Sequence, residues 1–264
     1  ADCEHPNITT CGWWILDQEQ QTQRFLTGDA CFGGAQRSEI DAFLREGEPP
    51  VYIGWGSMIA VSPEFMTNVA VSALKQVGRR GIVLRGWAGL SPDFLENQEL
   101  ADYAREQVLF VQSAPHEWLM PKCAVCVTHG GSGTTAASMR SGKPSVTTPI
   151  FLDQPDFAAS LSKLGNGQAT CQFHKMTANT LANKIRACLS DESIQKKAAE
   201  ISSALRAEDG VQTAIGKIKT FVEGPMSNGE WLALLQHRLS KRRDARVAKH
   251  SGTSCFCFGA PATR

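Results

Sequence analysis

Thr128-His-Gly-Gly-Ser-Gly-Thr-Thr135 is the stretch that most restricts what this chain can become. The apolar run Cys123-Ala-Val-Cys-Val127 leads into it, and the small residues Thr134-Thr-Ala-Ala-Ser-Met139 lead out. That order reads as strand, glycine loop and helix. The glycines let the backbone approach a ligand and take dihedrals that a Cβ forbids. The helix that follows turns unpaired N–H groups and its positive dipole end toward the loop. A phosphate is the expected guest of such a place. His129, at the strand end, can add a charge-assisted hydrogen bond to the same anion.

The same alternation recurs along the chain. Apolar runs at 51–55, 81–85, 108–111, 145–150 and 169–173 read as further strands. Helical spacing covers 63–77, 156–164, 177–189, 191–206 and 210–222, with a single turn at 116–119. Strands alternating with helices predict an α/β fold, a Rossmann-like parallel sheet with helices on both faces. Right-handed crossovers put every strand-to-helix loop on one edge, and ligands bind outside that carboxyl edge. Residues 56–58, 113–116, 129–135 and 151–154 all fall there. Ser57 either donates to a phosphate or caps its turn. Gly131-x-Gly133-x-x-Ala136, with Asp153 twenty residues past Gly133, formally satisfies a dinucleotide fingerprint. That fingerprint opens its fold, whereas three strands precede this one. Asp153 also stands where a helix N-cap would.

Outside this core the signals thin. Residues 1–48 are polar and glycine-rich, with Trp13-Trp14-Ile15-Leu16 as their one apolar cluster. They read as a linker and the remnant of a preceding domain, with a short amphipathic helix over 38–44. The main domain spans 49–225, and 226–264 form a basic C-terminal helix and a disordered tail. In that helix Trp231, Leu232, Leu234, Leu235 and Leu239 precede Lys241, Arg242, Arg243, Arg246 and Lys249. It reads as a docking helix with a solvated end, the alternative being a membrane surface or nucleic acid. Cys255-Phe-Cys-Phe258 is a candidate lipid acceptor. A formal net charge of +1 argues against a nucleic-acid partner. Nine scattered cysteines suit a reducing compartment, so the expected location is cytoplasmic, with peripheral membrane contact as an addition. Cys123 and Cys126 form a C-x-x-C, but strand alternation puts them on opposite faces, as buried thiols.

Five segments together carry a resemblance. They are Pro50-Val-Tyr-Ile-Gly-Trp-Gly-Ser-Met58, Ser113-Ala-Pro-His-Glu-Trp-Leu-Met-Pro121, His129-Gly-Gly-Ser-Gly-Thr-Thr-Ala-Ala137, Gly142-Lys-Pro144 and Pro149-Ile-Phe-Leu-Asp-Gln-Pro155. In order and spacing the chain resembles the C-terminal, donor-binding half of a GT-B glycosyltransferase of family 1, nearest the sterol 3-β-glucosyltransferases. The resemblance implies a UDP-sugar as donor and a sterol or lipid-like hydroxyl as acceptor. It gives Gly56 and Ser57 to the diphosphate, and Ser113, Ala114 and His116 to the uracil, largely through backbone groups. It gives His129, Gly131, Ser132, Gly133 and Thr134 to the phosphates, and Asp153 and Gln154 to the sugar hydroxyls. It implies no cofactor and no metal. Ser113 stands where plant-type members have a tryptophan, and Ala137 where they have a ribose-binding glutamate. Trp55 replaces a phenylalanine.

The resemblance also implies an N-terminal acceptor domain that supplies a histidine base. None of His5, His116, His129, His174, His237 and His250 matches it, so no catalytic residue is assigned in this chain. The first reading is therefore the donor-binding part of an inverting UDP-glycosyltransferase. The alternatives are a non-catalytic nucleotide-sugar-binding protein and a dinucleotide-dependent oxidoreductase.

Overall fold

The computed structural model describes residues 8–16 and 18–251. The expected tail, with Cys255-Phe-Cys-Phe258, lies outside them. Trp13–Asp209 form one compact unit; Gly210 onward belongs, with the residues before Trp13, to a second. The first unit opens with α1 (Gln18–Leu26), two 3-10 turns (Ala30–Phe32 and Gly34–Gln36) and α2 (Arg37–Arg45). Then come β1 (Val51–Gly54), α3 (Pro63–Val77), β2 (Gly81–Leu84), α4 (Gln98–Gln107) and β3 (Val108–Val111). After them run α5 (His116–Leu119), β4 (Val125–Thr128), α6 (Ser132–Arg140) and β5 (Ser145–Thr147). The unit ends with α7 (Gln154–Leu164), β6 (Gly167–Ala169), α8 (Ala178–Ser190) and α9 (Glu192–Arg206).

All six strands are parallel, in the order β3-β2-β1-β4-β5-β6. This is the doubly wound order, and it reverses direction between β1 and β4. Period-two alternation sorts the strand side chains into two cores. Val51, Ile53, Val83, Val125, Val127 and Val146 face one core with α3 and α8. Tyr52, Ile82, Leu84, Val111 and Cys126 face the other, with Phe25, Ile40, Leu119, Met120 and Ala137. Each buried aliphatic contributes about 1.5–3 kcal/mol, which is why four-residue strands suffice. The ends of α3 are fixed locally: Ser62 Oγ accepts from the Phe65 N–H at 3.2 Å, and Gly78 closes it at φ 69°.

Several expectations need correction. Residues 18–45 are more than a linker: the helix expected over 38–44 is present as α2, and Phe25 and Ile40 are buried in the second core. Cys123 precedes β4, so alternation does not govern it, and both thiols lie in that same core. Helix α4 escaped the sequence reading because QELADYAREQ is polar and buries only Ala104; Asn97 caps it, accepting from the Leu100 N–H at 3.0 Å. The last strand starts at Gly167, which pairs with Ser145. A Cβ there would collide with the Ser145 carbonyl, so this glycine, ahead of the strand expected from 169, is the residue that permits pairing.

The second unit contains α10 (Gly210–Phe221), a π-helical turn (Val222–Met226) and α11 (Glu230–Ser251). Val211, Ile215, Ile218 and Val222 of the helical spacing at 210–222 are exposed, as are Leu232, Leu234, Leu235 and Leu239, while Trp231 meets Phe221 edge-on at 5.3 Å. Among the described residues no helix is long and apolar enough to cross a membrane.

Candidate functional site

The site forms where the sheet reverses direction. Register pairs Gly54 of β1 with Thr128 of β4, so the loops beginning at Gly56 and His129 emerge side by side. Beneath them the Trp55 indole N–H donates to Thr148 Oγ1 at 2.9 Å, and that hydroxyl donates to the Thr128 carbonyl at 3.0 Å. This buried relay ties the carboxyl ends of β1, β4 and β5 together. Trp55 therefore supplies a bond that a phenylalanine would lack.

His129 is the centre of the site. Its side chain is 8% exposed and Nδ1 has no hydrogen-bond partner. The ring lies between two glycines. A Cβ at Gly56 would sit 3.1 Å from His129 Cε1, and one at Gly131 would collide with Nε2. Gly56, at φ 60°, and Gly130, at φ 87°, also hold left-handed backbone. Burial lowers the pKa of His129, and the Gly54 carbonyl and the Asp153 carboxylate oppose that shift.

Helix α6 begins at Ser132, two residues earlier than its small-residue run suggests, with Gly131 as an N-cap lacking a side chain. The Thr135 N–H is the first bonded within the helix, to the Gly131 carbonyl at 2.8 Å. The N–H groups of Ser132, Gly133 and Thr134 are thus the helix's free donors. Ser132 and Gly133 are exposed. Beside the Nε2 edge of His129, which lies against Gly131, they make an anion site.

The flanking loops divide. Ser57 is exposed, and Ser62 caps the following helix. Asp153 is exposed and makes no capping bond to α7, so its carboxylate is available. Gln154 is buried and folded back: Oε1 accepts from the N–H of Ile150 at 2.8 Å and of Phe151 at 3.1 Å. Its Nε2 faces Met58 Sδ at 3.6 Å, which leaves one amide hydrogen to spare. Leu152, between these residues, sits at φ 55° and is 78% exposed.

The loop after β3 is engaged already. Ser113 Oγ donates to the Ala30 carbonyl at 2.8 Å, and the Gln112 N–H donates to Gln36 Oε1 at 2.7 Å. A Cβ at Gly33 would collide with the Ser113 carbonyl, so the 3-10 turns lie directly on this loop. Ala114 is buried. His116 packs edge-on against Tyr52 at 5.9 Å; burial first, and His129 second, hold its pKa down at about 4. Two features went unread in the sequence. Glu117, buried, pairs with Arg140 Nε at 3.3 Å and fixes α5 against α6. The partners lie on separate elements, and no local pattern links them. Phe25 stacks on Trp118 at 4.5 Å, bringing α1 onto the same helix.

A model of the UDP-glucoronosyl and UDP-glucosyl transferase family matches residues 33–210. The chain belongs to this family. Among its relatives, sterol 3-beta-glucosyltransferase UGT80B1 of Arabidopsis thaliana is 36% identical over 179 residues, covering 68% of this chain and 28% of that protein. The sterol 3-beta-glucosyltransferase of Vanderwaltozyma polyspora is 32% identical over 221 residues, covering 82% of this chain and 17% of its own length. A crystal structure of the glycotransferase of kitacinnamycin superposes with a TM-score of 0.53 at 26% identity, over 66% of this chain and 43% of that one. This UDP-glycosyltransferase family chain thus spans under a third of the two sterol glucosyltransferases and less than half of the solved structure. The resemblance in its motifs and the six-stranded GT-B-type sheet agree.

Proposed function

We propose that this chain is the donor-binding part of an inverting glycosyltransferase. It holds a UDP-sugar, glucose by first choice, for transfer to a hydroxyl of a sterol or other lipid-like acceptor. The observation that carries the reading is His129, buried at the sheet's switch point with its Nε2 edge against Gly131, beside the free N–H groups of α6. As the sugar departs, the diphosphate gains negative charge. Donors fixed before the reaction stabilise it without reorganising. His129 and the N–H groups of Ser132 to Thr134 fill that role, with Gly56 admitting the phosphate closely. Asp153 takes the sugar hydroxyls, assisted by the remaining amide hydrogen of Gln154. Charge compensation rests on these groups, with no metal in the reading.

The acceptor's class is supported by the rim. Ile59, Val61, Trp87, Phe151 and Leu152 are exposed apolar residues in the loops after β1, β2 and β5. Val61 is held at φ 66°, a strained conformation for a β-branched residue. The acceptor pocket and the base that deprotonates the hydroxyl belong, in this reading, to polypeptide outside this chain.

Calorimetric titration tests it. UDP and UDP-glucose should bind and NAD should not; NAD binding without UDP binding would end the proposal. Asp153→Ala should weaken UDP-glucose more than UDP, and EDTA should change neither. Equal losses for both ligands would remove the carboxylate from the sugar site.

A further inference from the structure

The Trp13 indole N–H donates to Ser132 Oγ at 3.2 Å. The two residues lie in the same compact unit, and their link spans 119 positions of sequence. Trp13 precedes the residues matched by the family model, which start at residue 33. Ser132 is the first residue of α6, among the free N–H groups beside His129.

A serine hydroxyl has one hydrogen to give and two lone pairs to receive with. Unpartnered, it rotates, and beside an anion it must spend entropy to choose its donating rotamer. An indole N–H can only donate. Directed at Oγ, it occupies an accepting lone pair and leaves the hydroxyl hydrogen to point elsewhere. Withdrawing electron density through Oγ also makes that hydrogen a better donor, the usual polarisation along a hydrogen-bonded chain. Ser132 stands at the helix N-terminus, so an anion held there is a fitting acceptor for that hydrogen.

We infer that Trp13 is a positioning residue for the diphosphate: through Ser132 it sets a side-chain donor that joins the free N–H groups of α6. The inference rests on the donor-site reading above. It also gives a role to the apolar cluster that the sequence left unassigned, since Trp13 is held at the site while Trp14 is exposed.

The test is a double-mutant cycle in the full chain, with UDP and uridine as probes. Trp13→Phe keeps the ring and removes the N–H. It should raise the UDP dissociation constant about three- to tenfold, the size of one hydrogen bond, and leave uridine binding within about twofold. Ser132→Ala should do the same, and Trp13→Phe should add nothing in the Ser132→Ala background. Donor-induced quenching of tryptophan fluorescence should shrink in Trp13→Phe. Equal losses for UDP and uridine would mean a merely structural contact, and unchanged UDP binding, or additive losses in the double variant, would likewise overturn the inference. If the unsubstituted chain binds no UDP, the donor-site reading itself falls, a result distinct from all of these.

Discussion

The loops leaving β3 and β4 share one edge of one sheet, yet their polar groups are in opposite states. After β4, His129 Nδ1 is unpartnered and the first N–H groups of α6 are free. After β3, the Ser113 hydroxyl and the Gln112 N–H are consumed by Ala30 and Gln36. The first loop is built to be completed by a ligand; the second is completed by the chain's own N-terminal segment. Sharing an edge therefore does not put the polar groups of two loops in the same state.

Substitutions at the two loops should separate accordingly. The largest effect belongs to His129→Ala, which should weaken UDP by about 1–3 kcal/mol, the loss of a charge-assisted hydrogen bond. Burial disfavours the protonated ring in the empty site, and a bound diphosphate favours it. UDP should therefore bind more tightly as pH falls through the histidine range, and His129→Ala should abolish that slope in calorimetry. An unchanged affinity would dissolve the contrast between the loops.

His116 gives a middle-sized effect on stability. Its folded pKa of about 4 lies below the ordinary 6.5, so the unfolded chain binds the extra proton more readily. The stability owed to neutral His116 is complete above pH 6.5 and lost as pH falls toward about 4. The Tm should fall with pH across that window, and His116→Gln should flatten that dependence. Ser113→Ala should do least: a stability loss of about 1 kcal/mol and UDP affinity within about twofold. A tenfold loss of UDP affinity would show that the hydroxyl leaves Ala30 for the ligand.

Much of this was legible in the sequence because the information is local. Strand alternation, the Ser62-Pro63 start of α3 and the glycines around His129 act through neighbours in the chain, and they fixed the sheet and its edge. What escaped depends on distant partners. The polar face of α4 hid its periodicity, since one buried alanine is a weak signal. The helix over 38–44 was legible, but α1 was missed because Phe25 is an isolated apolar residue whose partners, Trp118 among them, lie far along the chain. Gln154 was assigned to the sugar from its motif, while its carbonyl oxygen is spent on the turn at Ile150 and Phe151. Asp153 meets its alternative role in position only: it is the N-cap of α7 without a side-chain capping bond, while Ser62 rather than Ser57 caps α3.

The relay from Trp55 through Thr148 to Thr128 works as a rivet. Three adjoining strand ends are clamped by one indole, so the loops they carry keep a fixed spacing before any guest arrives. A lock cut in advance needs little of the key's energy to hold its shape. More of the grip on the donor then remains for the moment when the sugar leaves.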